Sequence, residues 1–311
     1  MSKIIATGSY LPDRVVTNQE LIQQTAIDSS DEWITQRTGI KQRHFATDEQ
    51  TVSDLAVLAA QNLLQQVNPK IIQQIEMIIV TSMSSGLPTP SVASQVQREL
   101  GILEAWSFDI SGACSGFTMA VEMAEKLSRD KTSGYTLVIG ADKMSAILNF
   151  EDRGTSILFG DGAGAILIQH DGEGLKDYES QLVSIPDPDN AISVYANEKM
   201  TMDGRLVFNF VLRQVIPSLA NFIQTKVGSF DYLISHQANK RFFEVFAKKL
   251  TIPLNKIPTN ISQVANTSGA SIPLLLDQLV KSGEISLTGE QKVVLVGYGA
   301  GLSWGQMSFT I

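Results

Sequence analysis

Cys114 is the single cysteine of this 311-residue chain, and its position favours chemistry. An apolar run at 106–110 predicts a strand that ends just before it, and periodic apolar residues predict a helix over 115–129. The thiol therefore lies at a strand-to-helix turn, where the free N–H groups of a helix N-terminus favour a thiolate. The alternative is a buried structural cysteine, since free cysteines are often buried.

Two other side chains could act with this thiol. The chain has three histidines, of which His44 and His170 lie in polar segments and are expected at the surface. His236 instead ends an apolar run that predicts a strand, and sites form at that edge of an α/β sheet. Asn266 precedes a predicted helix. The alternatives are a structural histidine and a turn or cap asparagine.

Alternating strand and helix patterns predict an α/β fold that positions these residues. Three pairs of segments match in order at an offset of about 157 residues: 76–82 with 231–236, 111–114 with 268–271, and 136–140 with 293–297. The matches predict a duplicated unit with an N-terminal half at 1–170, which carries the cysteine, and a C-terminal half at 171–311, which carries the histidine and the asparagine.

The same patterns predict the individual elements. Strands are expected at 4–10, 77–82, 106–110, 136–141, 163–169, 232–236, 292–298 and 303–310. Helices are expected at 18–25, 31–38, 51–66, 90–100, 115–129, 208–226, 239–250 and 270–282. The polar stretch 171–200 is expected to be an excursion between the halves.

Composition limits the function classes. The formal net charge of −8 argues against general nucleic-acid binding, and the hydrophobic fraction of 43% is typical of a globular protein. One cysteine excludes an intramolecular disulfide and a multi-cysteine metal site, which fits a reducing cytosol and a cytoplasmic location. The N-terminus does not resemble a signal peptide, and no apolar run is expected to span a membrane.

Two glycine-rich segments invite a nucleotide-binding interpretation. They lie at 160–164 and 297–301, and each precedes a strand pattern where a dinucleotide fingerprint precedes a helix. A phosphate-binding loop ending in Gly-Lys-Ser/Thr is also absent from the sequence. The glycines are therefore expected in tight turns.

A set of ordered motifs extends over almost the whole chain. They are DEWI at 31–34, RTGI at 37–40, GACSGF at 112–117, DRGT at 152–155, LFGDGAG at 158–164, HQAN at 236–239, NTS at 266–268 and GAGLSWG at 299–305. By these motifs the chain resembles β-ketoacyl-[acyl-carrier-protein] synthase III, the initiating condensing enzyme of type II fatty-acid synthesis. The resemblance implies a thiolase-like fold, a duplicated five-layer α-β-α-β-α sandwich, and a homodimer.

The resemblance also implies a reaction and its residues. Cys114, His236 and Asn266 match the family's catalytic triad. An acyl group passes from acyl-CoA to Cys114, and malonyl-acyl carrier protein then loses CO2 and attacks it. His236 and Asn266 are expected to stabilise the enolate. The backbone N–H groups of Cys114 and Ala300 are expected to stabilise the oxyanion that forms on the acyl-cysteine carbonyl. No cofactor and no metal are implied, because both thioesters are substrates.

The CoA site and the carrier-protein site follow from the same resemblance. Trp33 and Arg153 match the pair that sandwiches the adenine. Other positions match the lining of the CoA tunnel: Arg37, Gly204, Phe208, Ala238, Asn239 and Arg241. The alternative for Arg37 and Arg153 is a surface ion pair.

A basic patch on the helix predicted at 239–250 is expected to dock the acidic carrier protein. Its residues are Lys240, Arg241, Lys248 and Lys249. The alternative is an ordinary solvated helix face.

Thr89 takes a position that is often phenylalanine in the family and that limits the acyl pocket across the dimer. We therefore expect longer or branched primers to be accepted better than acetyl-CoA.

Other enzyme classes remain as alternatives. An elongating condensing enzyme requires a second histidine, for which neither His44 nor His170 has a suitable motif. A Cys-His-Asn synthase of specialised metabolism keeps the same triad. A papain-like hydrolase shares the residue order but requires its own cysteine signature. A thioester hydrolase and a non-catalytic acyl-CoA or carrier-protein binder complete the alternatives; the binder has no need for all three residues.

Overall fold

The computed structural model describes residues 1–25, 27–86, 88–196 and 198–311. Its strands are β1 (Lys3–Tyr10), β2 (Arg14–Thr17), β3 (Gln42–Phe45), β4 (Ile75–Thr81), β5 (Trp106–Ile110), β6 (Tyr135–Asp142), β7 (Gly162–Gln169), β8 (Glu179–Ser184), β9 (Ile192–Ser193), β10 (Thr201–Met202), β11 (Tyr232–Ser235), β12 (Lys292–Gly299) and β13 (Ser303–Thr310). All eight predicted strands are present within one or two residues of their expected ends.

The eight predicted helical segments are present, and the short helices at 153–156 and 261–264 were not predicted. The α-helices are α1 (Asn18–Thr25), α2 (Asp31–Thr38), α3 (Val52–Leu64), α4 (Val92–Glu99), α5 (Gly116–Ser128), α6 (Arg153–Ser156), α7 (Gly204–Phe210), α8 (Ile216–Phe222), α9 (Lys240–Leu250), α10 (Ile261–Val264) and α11 (Ser271–Lys281). The π turn Val211–Val215 joins α7 to α8, and the π turn Ile223–Val227 extends α8, so that one long helix covers Gly204–Val227.

Two sheets form the framework. The first has the order β1-β7-β6-β4-β5 and the second the order β11-β12-β13-β8. The helices α5 and α11 lie between them, because their apolar residues share one core cluster with both sheets. Outside the first sheet lie α3 and α4, and outside the second lie α7, α8 and α9. These are the five layers that the sequence predicted, and the thiolase-like fold is confirmed.

The duplication is visible in the sheet topology. Strands β1, β7, β6 and β4 have counterparts in β8, β13, β12 and β11, with the same sequence of antiparallel and parallel pairings. The interior helices α5 and α11 occupy equivalent places between the sheets. Both halves contribute to one shared interior layer. The division into halves at 1–170 and 171–311 as domains stays a prediction.

Polar edge elements are where the structure departs from the sequence analysis. The stretch 171–200 contains β8, which pairs with β13 as an edge strand of the second sheet. Its side chains are half-buried or exposed, so it lacks the apolar run that marks a central strand. The antiparallel pair of β2 and β3 was also missed, because each strand has only four residues and neither contains an apolar run.

Two further expectations were wrong. His170 is only 3% exposed and contacts the Thr136 hydroxyl, and His44 is half-buried with Nδ1 at 2.6 Å from the Pro12 carbonyl oxygen. The helix Gly204–Val227 is long and apolar enough to cross a membrane by length and composition alone, although no such run was expected. Its buried residues belong to the core cluster of the second sheet, so here it is an outer-layer helix.

Candidate active site

A cavity of about 230 Å³ opens where the two halves meet. Cys114, His236, Asn266 and Ala300, which lie far apart in the chain, all line it. Cys114 comes from the turn after β5, His236 from the residue after β11, and Asn266 from the turn before α11. The fold therefore brings together the four residues that the sequence predicted for the chemistry.

Cys114 lies in a tight turn between β5 and α5. The preceding Ala113 has a left-handed φ of 44°, and the 3₁₀ turn Ala113–Ser115 leads directly into the helix. The thiol is 8% exposed, and its Sγ lies 3.6 Å from the Ser268 Oγ. A Cβ at Gly299 would lie 3.4 Å from the Sγ atom, so the backbone next to Ala300 lies directly against the thiol.

The prediction of a stabilised thiolate is wrong for the free protein. Burial raises the pKa of Cys114 from 9.0 to about 12, and the nearby Asp142 acts in the same direction. That change corresponds to about 4 kcal/mol against the charged form. A helix N-terminus contributes about 0.3–1 kcal/mol, so burial dominates and the resting residue is a neutral thiol.

His236 is 2% exposed and has one side-chain hydrogen-bond partner among the described residues. Its Nδ1 lies 2.7 Å from the Oγ of Ser271, the first residue of α11. The ring meets the Tyr298 ring edge-on, with 5.3 Å between centroids. Burial lowers the pKa of His236 from 6.5 to about 3, so the imidazole is neutral at physiological pH.

Asn266 is held with its amide in a defined orientation. Its Oδ1 accepts a hydrogen bond of 2.8 Å from the backbone N–H of Ser268. The carbonyl end of the amide is thereby engaged with the turn, which leaves the Nδ2 donors for other partners. The side chain is 5% exposed and borders the cavity, so these donors are available to a bound oxygen.

Asp142 lies behind the site and ties its turns together. It is fully buried, and its Oδ1 accepts hydrogen bonds from the backbone of Met83 and the hydroxyls of Ser82 and Ser84. Its Oδ2 accepts one of 3.0 Å from the Gly269 N–H. Burial raises the pKa of this carboxyl group. The sequence analysis missed Asp142, because its partners come from two distant segments, 82–84 and the turn at Gly269.

Most residues predicted for the CoA tunnel line the same cavity. They are Gly204, Phe208, Ala238, Asn239 and Arg241. The rest of the wall is largely apolar and was not predicted: Met83, Ala113, Leu158, Phe159, Ile192, Met200, Met202, Val207, Phe242, Tyr298 and Gly299. The strand and helix periodicities of the sequence cannot indicate such a wall, because its side chains come from many different elements.

The remaining predicted CoA residues meet at the surface outside the cavity. The guanidinium carbon of Arg153 lies 4.8 Å from the Trp33 ring centroid, and that of Arg37 lies 5.6 Å from it. Arg153 also donates a 2.6 Å hydrogen bond to the Asp28 carbonyl oxygen. Neither arginine forms an ion pair among the described residues, so the surface-ion-pair alternative has no support in the structure.

The predicted basic patch lies beside this surface group. Its four residues, Lys240, Arg241, Lys248 and Lys249, are all exposed on α9. α9 packs against α2, with the Lys240 side chain against Gly39, so the patch adjoins the helix that carries Trp33. Arg241 belongs both to the patch and to the cavity wall.

Two other expectations have simple outcomes. Thr89 is exposed and does not line the cavity of its own chain, so its predicted contribution across a dimer stays a prediction. In the described part of the chain, no group of three or more His, Cys, Asp or Glu side chains is arranged to hold a metal ion.

Comparison with known proteins identifies the family. Family models for 3-oxoacyl-[acyl-carrier-protein] synthase III match residues 108–184, and the model of its C-terminal region matches residues 222–311. The β-ketoacyl-[acyl-carrier-protein] synthase III of Streptococcus gordonii is 40% identical over 100% of this chain and 99% of that protein.

Solved structures give the same result. The crystal structure of 3-oxoacyl-[acyl-carrier-protein] synthase III from Aquifex aeolicus VF5 is 34% identical, with a TM-score of 0.92 and 100% of each chain covered. The priming β-ketosynthase from the R1128 polyketide pathway is 30% identical, with a TM-score of 0.89 over 100% of this chain and 96% of that one. The chain belongs to the β-ketoacyl-[acyl-carrier-protein] synthase III family.

Proposed function

We propose that Cys114, His236 and Asn266 catalyse the decarboxylative condensation of an acyl-CoA primer with malonyl-acyl carrier protein, the step that initiates type II fatty-acid synthesis. The observation that carries this assignment is the meeting of all three buried side chains at one cavity, which Arg241 of the basic patch also lines. A non-catalytic binder has no need for this arrangement.

The first half-reaction is a thiol–thioester exchange. The Cys114 sulfur attacks the acyl-CoA carbonyl, the bond from that carbon to the CoA sulfur breaks, and the thiol proton leaves with CoA. The oxyanion that forms on the carbonyl is stabilised by the backbone N–H groups of Cys114 and Ala300. Since the resting thiol is neutral, the proton must move as the acyl group binds.

The second half-reaction uses the two polar side chains. Malonyl-acyl carrier protein loses CO2, and the electron pair of the broken bond forms a thioester enolate. The His236 Nε2–H and Asn266 Nδ2–H groups donate to the enolate oxygen. The enolate carbon attacks acyl-Cys114, the 3-oxoacyl-carrier protein leaves, and the released thiolate takes a proton from water. A neutral imidazole suits this donor role.

The CoA thioester enters along the residues that link the surface to the cavity. Trp33 and Arg153 offer an aromatic face and a cation for the adenine, with Arg37 on the same ring. At a distance of 4.8 Å the Arg153 guanidinium lies over the Trp33 ring, so the two side chains must move apart for an adenine to lie between them. The pantetheine arm then passes the cavity wall formed by Gly204, Phe208, Ala238, Asn239 and Arg241.

The carrier protein docks on the basic patch of α9, next to the cavity mouth. This patch supplies local positive charge on a chain whose net charge is −8. Acidic partners are attracted to such a patch even when the whole protein is acidic. The reaction needs no cofactor, and we expect no nucleic-acid or membrane partner and a cytoplasmic location.

A homodimer completes the assembly. In the described part of the chain, β5 pairs only with β4, so it is an open edge of the first sheet. Leu103 is 84% exposed and Trp106 is 58% exposed beside that edge. An open edge with exposed apolar residues is suited to pairing with a second copy. Thr89 would then reach the partner's acyl pocket.

One observation supports a second candidate within the same chemistry. The priming β-ketosynthase of a polyketide pathway is similar over the full length of this chain. A synthase of specialised metabolism would use the same triad and differ in the primer.

Product analysis across a primer series tests these proposals. The enzyme is incubated with malonyl-carrier protein and acetyl-, isobutyryl- or octanoyl-CoA, with Cys114→Ser as the matched control. We expect 3-oxoacyl-carrier protein from the wild type only, with a higher kcat/KM for the longer or branched primers. A strong acetyl preference would contradict the role of Thr89. No condensation product with any primer would reject the synthase assignment, and hydrolysis alone would indicate a thioesterase.

A further inference from the structure

Ser271 makes the one described side-chain hydrogen bond to the His236 ring. The Ser271 Oγ lies 2.7 Å from the His236 Nδ1, and the two residues are 1% and 2% exposed. The neighbouring Tyr298 ring lies nearly perpendicular to the His236 ring, with 5.3 Å between centroids, and forms no hydrogen bond to it among the described residues. The hydroxyl of Ser271 therefore decides which ring nitrogen of His236 carries the proton.

A second contact fixes the direction of this hydrogen bond. The backbone N–H of Gln237 donates to the Ser271 Oγ at 3.4 Å, and a backbone N–H cannot act as an acceptor. If the His236 Nδ1–H also donated to that oxygen, the buried Ser271 hydrogen would have no acceptor among the described residues. Leaving such a group unpaired costs about 1–3 kcal/mol. The lower-energy arrangement has Ser271 donating to Nδ1, with the proton of the neutral ring on Nε2.

Within the internal duplication, the 3₁₀ turn Ala113–Ser115, which contains Cys114, has its counterpart in the 3₁₀ turn Ser268–Ala270. Ser271 directly follows that second turn as the first residue of α11. The same turn also orients Asn266 through the Ser268 N–H. One turn thus sets the direction of both side-chain donors at the site.

We propose that Ser271 is a positioning residue that holds His236 as the Nε2–H tautomer, so that the ring donates a hydrogen bond to the malonyl-derived enolate. This inference rests on the proposed function for its catalytic consequence. The tautomer itself does not depend on that function, because it follows from the contacts of Ser271 with His236 and Gln237.

The direct test is nitrogen NMR of the protein labelled with ¹⁵N-histidine. The three histidines are assigned with His44→Gln and His170→Gln variants. We expect a pyridine-type Nδ1 and a pyrrole-type Nε2 for His236 in the wild type, and a growing Nδ1–H population in Ser271→Ala. A wild-type Nδ1–H tautomer, or an unchanged ratio in Ser271→Ala, would overturn the proposal. The wild-type spectrum alone decides it if Ser271→Ala does not fold.

Kinetics of the separate half-reactions test the consequence. In Ser271→Ala we expect condensation to fall about 10–100-fold, as for loss of other groups that orient a reacting side chain. Acyl transfer to Cys114 should change by no more than about 3-fold, since it does not use the His236 donor in this scheme. Ser271→Thr keeps the hydroxyl and should restore condensation.

Ser128→Ala is the matched control, because it also deletes a buried interior-helix hydroxyl, one that bonds only the Ala124 carbonyl oxygen. Equal losses in both half-reactions of Ser271→Ala, or equal losses in Ser128→Ala, would show a merely structural role and contradict the proposal. An enzyme that forms no condensation product at all would instead reject the proposed function, while the NMR result would still decide the tautomer.

Discussion

The protonation state of Cys114 gives a quantitative prediction about its reactivity. Burial raises the pKa of the thiol from 9.0 to about 12 in the free protein. At pH 8 the thiolate fraction is then roughly 10⁻⁴, against roughly 10⁻¹ for an unperturbed thiol. Alkylation proceeds through the thiolate, so at this pH the electrostatic effect alone slows it about 1,000-fold.

The pH profile separates this effect from simple lack of access. Burial of the sulfur lowers the alkylation rate at every pH by the same factor, whereas the pKa determines where the rate reaches a plateau. With a pKa of about 12, the logarithm of the rate constant should rise by about one for each pH unit between pH 6 and 10. Asp142→Asn removes the neighbouring negative charge and should shift the profile to lower pH.

Intact-protein mass spectrometry after iodoacetamide treatment measures this directly, because Cys114 is the single cysteine of the chain. Each added carbamidomethyl group on sulfur therefore reports on one residue, with Cys114→Ser as the control for other sites. A plateau between pH 6 and 9 would show a stabilised thiolate. That result would refute the argument that burial outweighs the helix N-terminus.

Three other perturbations have defined outcomes. Trp33→Ala should raise the KM for acyl-CoA by about 5–30-fold through loss of about 1–2 kcal/mol of stacking, with kcat unchanged. An unchanged KM would place the adenine elsewhere. Arg153→Ala is the companion variant. The double variant Lys248→Glu/Lys249→Glu should raise the KM for malonyl-carrier protein and weaken its salt dependence while acyl-CoA kinetics stay unchanged, and a charge reversal far from α9 is the control. Because the folded pKa of His236 is lowered to about 3, its contribution to stability is present above pH 6.5 and is lost as the pH falls. Relative to His236→Gln, the free energy of unfolding measured in urea should fall by at most about 1.4 kcal/mol per pH unit. The same pH dependence of that free energy in both proteins would contradict the lowered pKa.

The central framework of the fold was predictable from local patterns. The strands Ile75–Thr81 and Lys292–Gly299 are buried on both faces. Their sequences are therefore nearly continuous apolar runs, which predict strands. The repeat at about 157 residues predicted a duplicated α/β unit, and the layered arrangement followed from the family resemblance. Polar edge strands such as Glu179–Ser184 gave no such signal, because one side of an edge strand faces solvent.

The candidate site divides in a similar way. Cys114, His236 and Asn266 were indicated by their places next to predicted strands and helices, the resemblance then assigned them roles, and the fold places them at one cavity. Ser271 and Asp142 were missed as parts of the site, since their importance lies in contacts across sequence separations that no local pattern reports. The pKa of Cys114 was also mispredicted, because burial depends on the whole surrounding packing.

A pulse–chase experiment on Cys114 tests the central claim most directly. Stoichiometric acyl-CoA is added without malonyl-carrier protein, and the intact mass is recorded before and after malonyl-carrier protein is supplied. We predict one acyl group on the wild type and none on Cys114→Ser, followed by loss of that mass and appearance of an equal amount of 3-oxoacyl-carrier protein. A condensation product formed without prior acylation of Cys114, or an acyl-enzyme that the malonyl substrate cannot discharge, would contradict the account.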